Sequence, residues 1–312
     1  MKNIFLLLVL LIGGASVFAQ TDTRYSMYMH NGLSINPAFA GNNNEGELTA
    51  FYRNQWTQIQ DAPVSMSLAW HNSFGRRDQV GLGVYLEHDR IGVDKRTNVQ
   101  LNYAYRLTVG EGKFSFGLQG GLVFFRSQLT DIVTPEGGFD EVFENDDSFA
   151  RPNFGVGLRY VTKNYYFGAS IPHLLNYQEG LGTTGSRVRS AYISYLANAG
   201  ARMDLGERLE FLPSGLFKYI PAEAPPELDL SAIFRYRKSF ELGITYRTNK
   251  VVNPESLNFQ VGYLFDNGVK IAYAYDYMIS SISAYTSGSQ EILVSYRLFD
   301  KNDNVKNPRY FR

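Results

Sequence analysis

From about residue 47 to residue 299 the chain repeats one pattern, segments of roughly ten residues in which apolar side chains alternate with small or polar ones. Val269 to Tyr277 shows it cleanly: Val269, Ile271, Tyr273, Tyr275 and Tyr277 fall on one side, Lys270, Ala272, Ala274 and Asp276 on the other. Side chains of a strand point alternately to its two faces, so one face suits an apolar phase and the other suits water. Many such segments behind an export signal are the sequence signature of a transmembrane β-barrel.

The N-terminus supplies the signal. Met1-Lys2-Asn3 is a short positive region, Ile4 to Ile12 an apolar core, and Val17-Phe18-Ala19 places small residues before Gln20. This predicts a signal peptide over residues 1–19, cleaved between Ala19 and Gln20. No later stretch approaches the ~18 apolar residues of a spanning helix. A membrane-embedded chain must then be a barrel, because only helices and closed barrels satisfy their backbone groups in lipid. Aromatic content of 15 %, with 22 Tyr and 22 Phe, fits the interfacial girdles of such barrels. The absence of cysteine predicts no lipid-anchoring cysteine, no disulfide and no thiolate chemistry. A net charge of +0 gives no electrostatic reason to expect nucleic acid as a partner.

The expected fold is all-β, a transmembrane antiparallel up-and-down barrel of about 14 strands in contact with outer-membrane lipid. The strands are read near 47–56, 64–72, 79–88, 96–108, 113–125, 153–161, 165–171, 191–203, 209–219, 227–237, 239–247, 257–264, 269–277 and 289–298. From the second strand onward every second link is short, and Asp266-Asn267-Gly268 is a strong hairpin signal. The intervening links are mostly longer, as in 126–152, 172–190, 248–256 and 278–288. Short periplasmic turns, longer outside loops and an even strand number put both termini in the periplasm. Residues 20–46 lack strand alternation and are expected as a periplasmic or lumenal segment before the barrel over 47–299, with a periplasmic tail over 300–312.

The faces can be assigned. Phe240, Leu242, Ile244 and Tyr246 should meet lipid, with Glu241, Gly243, Thr245 and Arg247 in the lumen. In the preceding segment Leu228, Leu230, Ala232 and Phe234 oppose Asp229, Ser231, Ile233 and Arg235. Glu241, Arg235, Arg247 and Asp276 are expected to pair or to line water inside. Signs of chemistry are weak. His30, His71, His88 and His173 are scattered without metal-ligand spacing, so no metal or cofactor site is expected. Ser67 and His71 share a phase but are about 13 Å apart along one strand, too far for a nucleophile–base pair. Gly81-x-Gly83 and Gly155-x-Gly157 lie inside strands, where glycine marks curvature or a close backbone approach rather than a phosphate loop. The acidic run Asp140 to Asp147 lacks the ligand order of a calcium loop and reads as a solvated outside loop. No enzyme activity is expected.

Tyr28-Met29-His30-Asn31 followed by Asn36-Pro37-Ala38-Phe39-Ala40-Gly41 resembles the opening of the PorP/SprF family, outer-membrane proteins of Bacteroidetes associated with type IX secretion and gliding. The similarity continues through Tyr52 to Trp56, Asp89 to Gly92, Pro152 to Gly157, Ile171 to Leu175, Tyr273 to Tyr277, Gly288 to Ile292 and Asn307 to Phe311. Met27 stands where the family often has Gln, and Gln290 where it often has His. The resemblance implies a non-enzymatic component that supports export or surface attachment of a large secreted adhesin, with type IX secretion components as partners. Tyr28, Asn31, Asn36, Pro37, Phe39 and Gly41 are the candidate residues of a segment that plugs the barrel or meets a partner. The alternative is a channel for small hydrophobic or polar solutes. An open, charge-lined lumen would favour the channel, and a lumen filled by residues 20–46 the secretion accessory.

Overall fold

In the computed structural model, residues 23–42, 46–75, 78–131, 146–175, 177–178, 187–188, 193–221, 223–250 and 253–299 are described. The signal peptide with Ala19 and Gln20, most of the acidic run, and the tail over 300–312 lie outside them.

Fourteen antiparallel strands close into one barrel. They are β1 Gly46–Asn54, β2 Val64–Phe74, β3 Val80–Ile91, β4 Asp94–Val109, β5 Gly112–Ser127, β6 Asp147–Val161 and β7 Tyr165–Ile171. Then follow β8 Tyr195–Ala201, continued by Met203–Asp204, β9 Leu209–Ile220, β10 Glu223–Tyr236, β11 Phe240–Lys250, β12 Asn253–Leu264, β13 Val269–Met278 and β14 Ser289–Phe299. Each strand pairs with its neighbours in sequence, and β14 closes the ring by pairing with β1 from Asn54↔Gln290 to Gly46↔Phe299. Closure leaves no edge in the ring, which a sheet in lipid requires.

The face assignment holds. Leu242, Ile244 and Tyr246 on β11, and Leu230 and Phe234 on β10, lie on the outside of the wall. Glu241, Thr245, Arg247, Asp229 and Ser231 are buried inside. The Asp266–Gly268 turn forms as its residues predict: Gly268 takes φ +84°, and the Asn267 side chain accepts the Val269 amide at 3.1 Å.

The links differ from the sequence reading. Strands run further on the long-link side: β6 begins at Asp147 rather than 153, β11 reaches Lys250 and β12 begins at Asn253. The segment read as one strand over 191–203 is shorter and is interrupted at Arg202. The link read over 248–256 closes within two residues, 251–252, as do Gly92–Val93 between β3 and β4 and 221–222 between β9 and β10. The hairpin of β3 and β4 shows why. Asp89↔Arg96 and Arg90↔Lys95 continue the register past the apolar band. Polar residues keep the ladder there although the apolar period that marks strands in sequence has stopped. The links read as short join strands at one end of the barrel, and the strand ends that flank 55–63, 128–146, 172–194 and 279–288 lie at the other, together with those that flank the three two-residue links.

Candidate functional site

The lumen is where the chain's unusual features converge. Residues 23–42 lie inside the barrel as a compact run of short turns: a 3-10 turn Tyr28–His30, α1 Gly32–Ile35 and a 3-10 turn Pro37–Phe39. Pro37 opens the last turn, where its missing amide proton costs nothing, and it holds Asn36 extended. The Asn36 side chain caps that turn, its Oδ1 accepting the Ala38 amide at 2.9 Å. Its Nδ2 donates to the Leu158 carbonyl on β6 at 3.0 Å. One asparagine therefore fixes the turn and ties it to the wall.

Apolar side chains of this segment are buried rather than left in water. Tyr28, Leu33, Ile35, Phe39 and Ala40 pack with Ala69, Tyr85 and Ala104 of the wall. Tyr25 and Met27 pack with Phe51, Ala272, Ala274 and Leu293. Burial of this kind is worth ~25 cal/mol per Å² of apolar surface removed from water. The wall makes room where backbone meets backbone. A Cβ at Gly117 would run into the Pro37–Ala38 backbone, and one at Gly81 into the Ala40 carbonyl. Gly81 and Gly117 thus mark a close approach by the inner segment, whereas Gly155 meets the Pro172 backbone.

The six candidate residues share this lumen. The Tyr28 hydroxyl lies 3.2 Å from Ser214 and 3.3 Å from Ser231. Asn31 reaches Ser67 at 3.5 Å, and Asn36 and Pro37 lie against β5 and β6. The Phe39 ring stacks under the Arg159 guanidinium at 4.1 Å. Gly41, at φ +66°, threads between the Asn72 carbonyl and Gly81, where a side chain would have no room.

Ion pairs complete the packing, and sequence reading found only some of them. Arg235–Glu241 meet at 2.8 Å, while Arg247 and Asp276 approach to 3.8 Å. The stronger organisation uses residues that reading passed over. Arg24 reaches Asp229 at 2.6 Å, Glu255 at 3.0 Å and Glu227 at 3.3 Å. Arg53 reaches Asp276 at 2.7 Å and Glu291 at 3.1 Å. The amides of Ser26 and Met27 donate to Glu291 at 2.8 and 2.9 Å. At the short-turn end Arg106 donates to the Ala40 carbonyl, and Arg159 to Asn42 at 2.6 Å. A buried charge is tolerated only when paired and hydrogen-bonded, so each inward-phase Arg or carboxylate was itself a signal that a partner lay inside.

The histidines do not converge. His30 lies near Lys270 and Glu241, His71 near Glu47, His88 against Thr97, and His173 against Asn153. Among the described residues no three metal-ligating side chains converge. At the long-link end a cavity of about 60 Å³ remains between segment and wall, bordered by Arg24, Glu87, Asp89, Arg96 and His173. It has room for a few water molecules. Of the acidic run, Asp146 is described: hydrogen bonding from Thr130, ahead of the Arg126 charge, holds its carboxyl below the usual range.

Comparison with known proteins gives the fold and the family. A deletion mutant of TodX, a monoaromatic hydrocarbon channel, superposes with a TM-score of 0.50 at 12 % identity, over 85 % of this chain and 93 % of that one. The outer membrane protein Omp33 of Acinetobacter baumannii gives 0.49 at 6 % identity, over 81 % and 98 %. The toluene transporter TbuX of Ralstonia pickettii gives 0.49 at 11 %, over 85 % and 92 %. At such identities the likeness to TodX shows the fold alone, that of an outer-membrane barrel. No curated protein sequence matches. The family described as "Type IX secretion system membrane protein PorP/SprF" matches residues 17–296, nearly the whole barrel and the segment inside it, and the chain belongs to that family.

Proposed function

We propose that this barrel is a plugged, non-enzymatic accessory of type IX secretion that supports export or surface attachment of a large adhesin-like partner. In this reading the short turns and the first and last strand ends face the periplasm, and the long links face outward. The observation that carries it is the occupied lumen. Residues 23–42 hydrogen-bond and pack to β1 to β7 on one side and to β9 to β14 on the other. A solute channel needs a continuous path through its lumen, and here residues 23–42 pack against the wall and leave between them a cavity of about 60 Å³. A secretion accessory instead needs a rigid surface that does not leak.

Deleting residues 25–41 tests this. Surface display of the partner adhesin should be lost while the barrel still reaches the outer membrane, and conductance in planar bilayers should rise above that of the full-length protein. Intact display, together with open-pore conductance of the full-length protein, would replace this reading with the solute channel.

A further inference from the structure

An even strand number fixes where the first and last strands end, but not where the segment ahead of β1 ends. The two ends of that segment are held at opposite ends of the barrel. Its C-terminal end is at the short-turn end: Ala40 and Gly41 lie against Gly81, one residue into β3, and Arg106, three residues before the end of β4. Asn42 is bound by Arg159, two residues before the end of β6. Its N-terminal end is at the long-link end. The Thr23 hydroxyl donates to Asp89 at 2.6 Å, two residues before the end of β3. Arg24 is clamped by Asp229, Glu227 and Glu255, the last two residues into β12. Ser26 is held by Asp276 and Glu291, beside the ends of β13 and β14 that flank the 279–288 link.

We infer that the segment threads the whole lumen, so that the chain ahead of Thr23 leaves the barrel through the long-link mouth, opposite the end of β14. With the orientation proposed above, the N-terminus of the processed chain is on the outside of the cell. Such a path needs a free leading end. A chain still tethered by its signal at the inner membrane has no route to the outer mouth, so signal removal must come before the lumen is filled. Arg24 and the Ser26 and Met27 amides are held at that far end by carboxylates of the wall.

The test is side-specific labelling of full-length protein that carries single cysteines, in a chain that has none of its own. The positions are Thr21→Cys, with Asp22→Cys as a second site, Ser283→Cys in the 279–288 link, and Asn267→Cys in a short turn. Each variant is first checked for heat-modifiable migration, so that only folded barrels are compared. An impermeant maleimide should label residues 21 and 22 from the same side as residue 283. Labelling of both from the side of residue 267 would overturn the inference. Labelling of residue 267 on whole cells, with 21 and 283 reached only after permeabilisation, would invert the proposed orientation but leave the threading intact. In a pulse-chase, the shortened chain should appear before heat-modifiable protein does; heat-modifiable protein that still carries its signal would overturn the required order.

Discussion

Arg53 on β1 and Asp276 on β13 meet at 2.7 Å across the intervening strand β14, both 2 % exposed. The Ser26 hydroxyl of the threaded segment closes the pair, accepting from Arg53 at 2.7 Å and lying 2.7 Å from both Asp276 carboxylate oxygens. Wall and inner segment therefore share one buried charge cluster. Removing one member of such a pair strands the others, at about 3–5 kcal/mol. Arg53→Met should accordingly lower the urea midpoint of heat-modifiable barrel sharply, because Glu291 loses its cation and Asp276 keeps only the more distant Arg247. Ser26→Ala leaves the ion pair and should cost about 1 kcal/mol. Equal losses for the two would show that the pair contributes no more than the hydroxyl.

Close approach at the wall gives a second test. Gly117→Val places a side chain where the Pro37–Ala38 backbone runs, whereas Gly120 faces outward beside the Phe154 ring at ordinary contact distance. Gly117→Val should dislodge the segment and raise bilayer conductance without preventing insertion. Gly120→Ala should leave conductance unchanged.

Much of the fold was legible because lipid imposes a strict period. A charged residue in the apolar phase is expensive, so β10, β11 and β13 carry their faces openly in the sequence. Strand ends such as Asp147–Pro152 and Asp94–Lys95 were not legible, since beyond the apolar band both faces are polar and the period vanishes. The lumen was only partly legible. Asn36-Pro37 and the apolar residues around it announced a bent segment that needed burial. The pairs that hold it, Arg24 with Asp229 and the Ser26 amide with Glu291, join residues more than 200 positions apart. No local pattern encodes such a contact.

The filled lumen changes how charge substitutions should behave. Leu242→Arg and Tyr273→Arg place a cation in lipid, at ~2–4 kcal/mol near the midplane. Asn267→Arg, at an exposed turn, loses only the side-chain acceptor of the Val269 amide and should cost less than either. By its lumenal phase alone Thr245 would accept an arginine, but Thr245 is fully buried and bonds Ser231, which also meets the Tyr28 hydroxyl. An arginine there has no space while the segment is present. Thr245→Arg should therefore hinder folding in the full-length chain and be tolerated once residues 25–41 are deleted, with heat-modifiable yield as the measurement. Yield that stays low after the deletion would place the damage in the wall itself.

Asn36 separates the local role of the segment from its attachment to the barrel. Its Oδ1 caps the Pro37–Phe39 turn, while its Nδ2 bonds the wall at Leu158. Asn36→Asp keeps an acceptor for the Ala38 amide but has no donor for the β6 carbonyl, which is left beside a carboxylate. Asn36→Ala removes both functions. Loss of a cap costs ~1 kcal/mol, and burying an unpaired charge costs far more unless the group takes up a proton. The aspartate variant should then release the segment at neutral pH, read as faster hydrogen exchange across residues 31–40, and recover protection as the pH falls and the carboxyl gains a proton to donate. The alanine variant should show a smaller loss of protection that does not depend on pH. If aspartate exchanges like the wild type at neutral pH, the bond from Asn36 to β6 contributes nothing to holding the segment in place.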